Sequence, residues 1–225
     1  MNPKQRAAEA ALPFLHSGMV VGLGTGSTAD FFLVALAEAL KSGRLKDIVA
    51  VATSRQSEHR SQELGIPLTT LAQAPVIDVT VDGADEVDPR LDLIKGLGGA
   101  LVREKIVAQN SKRFVIIADA SKAVAKLGTK APLPVEVMPF AHEVHEAFFR
   151  SLGAEPVLRR MGGMIFNTDN GNLIYDCRFP QIDDAAQMEQ TICRRAGVVG
   201  TGLFVAMANV ALIADESKVT RMDRQ

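Results

Sequence analysis

The segment Gly22-Leu23-Gly24-Thr25-Gly26-Ser27-Thr28 joins three glycines to three hydroxyls just ahead of a helical stretch. Glycines let a backbone turn tightly and approach an anion, and the free N–H groups and dipole of a helix start favour negative charge. Phosphate binding is the chemistry offered, although a plain strand-to-helix turn has the same composition. Gly24-x-Gly26-x-x-Ala29 also matches a loosened dinucleotide fingerprint. The next strand then ends in Thr53-Ser54-Arg55 instead of an acid for a ribose, so NAD lacks support and Arg55 keeps only a phosphorylated cofactor in view. No Walker-type lysine follows the loop, which disfavours a nucleotide triphosphatase.

A second constellation is Val79-Thr80-Val81-Asp82-Gly83-Ala84-Asp85-Glu86-Val87-Asp88, a hydrophobic strand emptying into four carboxylates. Open α/β sheets keep their ligands at such carboxyl ends. The alternatives are a solvated turn with a helix cap, a divalent metal site, or metal-free acid/base chemistry. Third comes Lys95-Gly96-Leu97-Gly98-Gly99-Ala100, where the lysine and the glycine N–H groups can meet an anionic intermediate. Glu104, between Arg103 and Lys105, reads on its own as a surface residue of a charged helical turn. Lys122 follows a strand and can reach a phosphate, although a lone lysine after a strand is usually just solvated. His142 and His145 share a helix face at i,i+3 without a third ligand nearby, so a plain helix surface explains them better than zinc.

The elements that would carry these residues follow from apolar periodicity. Residues 3–17 have helical spacing with Gly18 as a stop, 19–23 read as a strand, and Ser27 caps a helix over 28–40. A strand at 48–52, a helix at 56–64 ended by Gly65, and a strand at 76–81 continue a βαβαβ rhythm. A helix at 100–109 and a strand at 114–118 follow, which predicts an α/β fold with an open, mostly parallel sheet flanked by helices. The texture changes near Pro132. An extended stretch at 133–138, a helix at 141–152, extended segments at 155–159, 164–167 and 172–176, and a helix at 183–195 come next. Asp169-Asn170-Gly171 signals a turn between the last two extended segments. This order predicts a smaller inserted split-βαβ (ferredoxin-like) α+β domain, after which the apolar run 203–214 returns to the first sheet. The expected domains are 1–130 plus 203–225, and 131–202.

With 25 Lys and Arg against 26 Asp and Glu, the net charge of −1 offers no global field for nucleic acid or an anionic membrane, which points to a small-molecule partner. The two cysteines, Cys177 and Cys193, lack zinc-ribbon or CxxC spacing and read as buried free thiols in a reducing compartment. Residues 1–11 contain Lys4, Arg6 and Glu9 with no apolar signal core, and no stretch approaches a membrane-spanning length, so a cytoplasmic location is expected.

Taken together and in order, these words resemble the A-type ribose-5-phosphate isomerase family. The match runs through residues 22–29, 81–86, 94–96, 103–106, 117–122, 132–137, 168–172 and 202–204, and so spans nearly the whole chain. The resemblance implies interconversion of D-ribose 5-phosphate and D-ribulose 5-phosphate through a cis-enediolate, in the non-oxidative pentose phosphate pathway. It implies that Thr25, Gly26, Ser27 and Thr28, with Asp82, Gly83, Ala84 and Asp85 and with Lys95, Gly96, Leu97 and Gly98, line the sugar-phosphate site. Glu104 would be the proton-transferring base, assisted by Asp82, Asp85 and Lys95, while Lys4 and Lys122 would help to hold the phosphate. Leu97 stands where the family carries the middle glycine of its triplet. Residues 216–225 match nothing in that pattern. No cofactor and no metal are expected, and a homodimer or homotetramer is. Two other classes stay open: a sugar-phosphate sensor, which would not need Glu104 and the acidic pair, and an acyl-CoA transferase-like enzyme using a glutamate nucleophile.

Overall fold

The computed structural model describes residues 2–224; Met1 and Gln225, the outermost residues of the first expected domain, lie outside the described residues. The chain runs α1 (Pro3–Ala11), β1 (Val20–Leu23), α2 (Ser27–Lys41), β2 (Val49–Ala52), α3 (Arg55–Leu64), β3 (Val79–Asp82), β4 (Glu86–Val87), β5 (Leu93–Ile94), α4 (Leu101–Gln109) and β6 (Phe114–Asp119). It continues through β7 (Leu133–Val137), α5 (Val144–Ser151), β8 (Glu155–Leu158), β9 (Arg160–Met161), β10 (Met164–Ile165), β11 (Leu173–Arg178), α6 (Ala185–Cys193), β12 (Val198–Thr201), β13 (Leu203–Phe204), β14 (Val210–Ala214) and β15 (Val219–Asp223). Two compact units result, one of Met1–Ala84, Arg103–Ala123 and Met207–Gln225, the other of Asp85–Val102 and Val124–Ala206.

The first unit is built on a six-stranded sheet in the order β15-β14-β6-β3-β1-β2. Five strands are parallel and β15 pairs antiparallel on the edge. Residues 216–225, which carried no motif, therefore include an edge strand. The central strands read as unbroken apolar runs, Val115-Ile116-Ile117-Ala118 for example, because both faces of a parallel sheet are covered. On one face, Phe32, Leu33 and Leu36 of α2 pack with Val21, Leu23, Val79, Val81 and Val115. Each such side chain stabilises by roughly 1.5–3 kcal/mol on burial. On the other, Val107 of α4 joins Val51 and Ile77. The chain leaves β1 for β2 on one side and reaches β3 on the other, so the order reverses between β1 and β3, where doubly wound sheets open a crevice for ligands. α1 is shorter than the expected 3–17 helix: it stops at Ala11 and passes into a 3-10 turn, Leu12–Phe14, because Pro13 cannot donate to the helical ladder.

The second unit carries an antiparallel sheet in the order β12-β7-β11-β8. With α5 after β7 and α6 after β11, this is the split-βαβ arrangement. Leu133, Val135 and Val137 of β7 pack with Phe149 of α5 and Ile192 of α6. Asp169-Asn170-Gly171 does turn the chain, with Gly171 N–H donating to Thr168 O at 2.9 Å. The segment at 164–167 does not pair across it, however. β10 pairs with β9 around Gly162-Gly163, and β11 pairs with β8, so a small hairpin projects between two strands of the main sheet.

A three-stranded sheet β13-β5-β4 also belongs to this unit. It explains why residues 85–102, 124–130 and 203–206 fall here and not with the parallel sheet, as the expected boundaries had them. β13 pairs with β5, Val124 N–H donates to Val87 O at 3.0 Å, and the Glu86 carboxylate accepts the N–H groups of Gly128, Lys130 and Ala131. Of the apolar run 203–214, only β14 returns to the first sheet.

Candidate active site

In the first unit the glycine loop leaves β1 at the switch point. Gly24 N–H donates to Val81 O at 3.0 Å, and a Cβ at Gly24 would lie 2.1 Å from Asp82 Oδ1, so only glycine permits this approach. Asp82 is fully buried, and its Oδ1 accepts the N–H groups of Thr25 at 3.0 Å and Gly83 at 2.7 Å. The Thr25 hydroxyl is held by Ser54 Oγ at 2.7 Å and Thr53 Oγ1 at 2.9 Å. Thr53-Ser54-Arg55, read above only as evidence against NAD, thus braces the loop, and its cue was two hydroxyls at a strand end. Ala84 ends this unit's share of the segment after β3.

The cap of α2 differs from the expectation. Gly26, with φ of 102°, occupies the N-cap and Ser27 is the first helical residue, so the Ser27 hydroxyl is not spent on capping. It accepts instead from Lys4 Nζ at 2.8 Å, which brings Lys4, 23 residues away, onto the loop. Thr28 follows in the first turn of α2. Lys122 closes the 3-10 turn after β6, where the Asp119 carboxylate accepts both the N–H and the hydroxyl of Ser121. Burial alone would raise the Asp119 pKa, but those hydrogen bonds and the charges of Lys122 and Lys4 hold it below the usual carboxylate range. Asp119 was not among the expected site residues; an Asp two residues before a Ser at a strand end is the local cue for it. Arg60, which lines a cavity of about 170 Å³ beside the loop, is engaged by Asp30 at 2.7 Å and Glu63 at 3.0 Å.

Glu104 is 3% exposed, unlike the surface residue its charged neighbours suggest. It lies one turn before Val107, whose side chain packs against Gly22 of β1, and i,i+3 residues share a helix face. The carboxylate is therefore carried on the face of α4 turned to the sheet, at the helix end nearest the strand termini.

In the second unit the remaining carboxylates of the acidic word have separate tasks. Asp85 Oδ2 accepts Leu97 N–H at 2.9 Å. Fully buried Glu86 holds three backbone N–H groups, and Asp88 Oδ1 accepts those of Arg90 and Asp92, both at 2.8 Å. The solvated-turn reading fails for them. Among the described residues no group of three or more His, Cys, Asp or Glu side chains is placed to hold a metal ion. Lys95 is 2% exposed, with its N–H on Gly202 O at 2.9 Å and its Nζ 5.4 Å from the Phe204 ring centre. Gly96 has φ of 108° and space for no Cβ, since Leu101 Cβ would be 2.8 Å away. Leu97 is accommodated in place of a glycine because it is not among the described non-glycine residues with positive φ (Asp47, Leu91, Ala141 and Ala206). Gly98 is exposed beside it.

Other expectations are corrected here. Cys177 is buried, and burial pushes its thiol pKa up, but Cys193 is exposed at the end of α6. His145 is buried in the second unit, accepting from Arg195 Nε at 3.2 Å, and His142 meets the Tyr175 hydroxyl at 2.9 Å, so neither sits on a plain helix surface. No helix among the described residues is long and apolar enough to cross a membrane.

A doubly wound sheet with a glycine loop and a buried acid at its switch point is the arrangement of an α/β enzyme that takes a small ligand at the carboxyl ends of its strands. The profile of the ribose 5-phosphate isomerase A (phosphoriboisomerase A) family matches residues 49–218. Ribose-5-phosphate isomerase A of Roseiflexus castenholzii is 51% identical over 98% of this chain and 94% of its own length, and that of Deinococcus radiodurans 45% over 98% and 97%. A D-ribose-5-phosphate isomerase solved in complex with phospho-erythronic acid aligns at 41% identity and a TM-score of 0.96 over 100% of both chains. The ribose 5-phosphate isomerase of Plasmodium falciparum aligns at 40% and 0.95, also over 100% of both. The chain belongs to the ribose 5-phosphate isomerase A family.

Proposed function

We propose that Glu104 is the base through which this aldose–ketose isomerase moves a proton between C2 and C1 of ribose 5-phosphate and ribulose 5-phosphate. The observation that carries the assignment is a carboxylate buried on the inner face of α4, in a chain of this family. From aldose to ketose the C2–H bond breaks toward Glu104 and its electron pair forms the C1–C2 double bond of a cis-enediolate. The former carbonyl oxygen at C1 takes the negative charge. Glu104 then returns the proton to C1, while a second proton passes from the C2 oxygen to the C1 oxygen. Asp82 and Asp85 assist that second transfer, and Lys95 with the glycine N–H groups of its loop stabilises the enediolate. Thr25 to Thr28, Lys4 and Lys122 hold the phosphate, which fixes the remote end of the substrate.

The reaction fits the non-oxidative pentose phosphate pathway and needs no redox cofactor. Turnover is expected to survive chelation; loss on chelation with recovery on adding a divalent ion would overturn the metal-free reading. Phospho-erythronic acid, an acid with a carboxylate where the substrate reacts, is expected to inhibit by occupying the same groups. A cytoplasmic location and a homodimer or homotetramer complete the reading, the latter supported by exposed Phe140, Met161 and Met164 on the second unit and testable by light scattering. The deciding experiment incubates the protein with ribose 5-phosphate and follows ketose formation. No conversion would leave the sensor and transferase alternatives, which acyl-CoA assays then separate.

A further inference from the structure

The hairpin β9–β10 is joined to the main sheet through Arg159 and Phe166, which are tied to each other by Phe166 N–H donating to Arg159 O at 3.0 Å. Both side chains bear on the loop that follows Lys95. Arg159 Nη1 donates to the carbonyl oxygens of Gly96 at 2.9 Å and Leu97 at 3.2 Å. The other edge of the same guanidinium meets Asp176 in a bidentate pair, Nε to Oδ2 at 2.8 Å and Nη2 to Oδ1. The Arg159 side chain is 11% exposed, and its Cζ lies 5.8 Å from the Phe166 ring centre. The Phe166 ring in turn fills the place of a side chain at Gly99, 2.4 Å from where a Cβ would stand.

This contact pattern controls which way the loop's donors point. A peptide unit is planar and trans, so fixing a carbonyl toward one side aims the next residue's N–H at the opposite side. The grip on the Gly96 carbonyl sets the Leu97 N–H, which Asp85 accepts. The grip on the Leu97 carbonyl sets the N–H of Gly98, turning it away from Arg159. Gly99 N–H also donates to the Gly96 carbonyl at 2.9 Å and closes a turn, yet that bond leaves the Leu97–Gly98 peptide inside the turn free to flip. A guanidinium already oriented by a carboxylate supplies the restraint, because charge-assisted, bidentate hydrogen bonds fix direction as well as distance.

We infer that Arg159, held by Asp176, is a positioning residue for the isomerisation: it locks the Gly96 and Leu97 carbonyls so that the Gly98 N–H is preset to receive the charge of the enediolate. The inference rests on the assignment of the Lys95–Gly98 loop to substrate made above. Arg159 itself touches no reacting atom. Its contribution is to make electrostatic stabilisation available without reorganisation during the reaction, which acts on the transition state more than on the bound aldose.

The test is steady-state kinetics on ribose 5-phosphate, with inhibition by phospho-erythronic acid, for the wild type, Arg159→Met, Arg159→Lys, Asp176→Asn and Lys95→Met. Arg159→Met is expected to lower kcat roughly 10- to 100-fold with KM within about threefold of wild type, and to weaken phospho-erythronic acid in parallel with kcat. Arg159→Lys, which can reach the carboxylate or the carbonyls but not both, recovers part of the loss, and Asp176→Asn loses less than Arg159→Met. A purely structural role would instead lower the thermal midpoint and the active fraction, leaving kcat per folded molecule and inhibitor affinity unchanged, and would overturn the inference. Should Arg159→Met not fold, Arg159→Lys and Asp176→Asn decide: kcat equal to wild type in both overturns it, a fall in kcat at constant KM sustains it. Lys95→Met separates the two layers. If it is inactive while the Arg159 and Asp176 variants are normal, only the positioning role falls; if it is fully active, the substrate assignment of the loop falls with it.

Discussion

Glu104 is the buried carboxylate proposed above as the base. Glu104→Gln keeps the shape but cannot accept a proton, so kcat is expected to fall roughly 10²- to 10⁴-fold with a much smaller change in KM. Thr28→Ala should show the reverse balance, raising KM more than it lowers kcat, because it removes a donor from the phosphate end only. Steady-state rates on both variants check this, and near-normal turnover of Glu104→Gln would shift the base to Asp82 or Asp85. Tyr175 offers a residue-scale test of the second unit. It is the one tyrosine of a chain without tryptophan, so its ionisation can be followed alone by ultraviolet absorbance. Burial first, then the nearby Glu146 carboxylate, pushes it up to about 12. The folded value lies above the unfolded value of about 10, so the stabilisation from keeping the phenol neutral is complete below about pH 10 and is lost as pH rises toward 12. A midpoint near 10 in the folded protein would contradict this environment.

At the scale of elements, the acidic word after β3 is one stretch of sequence with several structural tasks. Asp82 ends a strand of the parallel sheet and orders the glycine loop, while Glu86 in β4 ties down the backbone ahead of β7 through three N–H groups. Glu86→Ala should therefore behave as a stability variant. Leaving buried donors without an acceptor costs about 1–3 kcal/mol each, so a loss of roughly 3 kcal/mol or more is expected. Urea unfolding measures the loss, and the kcat of the protein that remains folded should stay near wild type. A large fall in kcat at unchanged stability would place Glu86 in the chemistry instead.

At the scale of the whole molecule, the roles proposed above tie phosphate binding at the glycine loop to proton transfer at the other end of the substrate. Binding energy gathered at the phosphate can be used to orient C1 and C2. Free ribose is accordingly expected to be a poorer substrate in kcat/KM by about two orders of magnitude or more, given charge-assisted hydrogen bonds worth roughly 1.5–3 kcal/mol each. Equal kcat/KM for ribose and ribose 5-phosphate would reduce the glycine loop to a structural turn.

What the sequence by itself determined is what local chemistry encodes. Apolar periodicity, glycines and capping residues specified the βαβ rhythm, the glycine loop at the end of β1, and the split-βαβ order of the second unit. Ordered motifs along nearly the whole chain also made the family legible. Tertiary structure decided what depends on distant partners. Glu104, between Arg103 and Lys105, carries every local mark of a surface residue, and only the packing of Val107 on Gly22 turns it inward. Ser27 was expected to cap α2, but Gly26 took that position and Lys4 took the hydroxyl. Cys193 and Cys177 look alike in sequence, and the packing of α6 and β11 made one exposed and the other buried. The grip of Arg159 on the Gly96 and Leu97 carbonyls joins residues more than 60 positions apart. Propensity acts over a turn or a strand, whereas the burial of a charged group and the aim of a loop are settled by contacts between segments that the chain brings together only on folding.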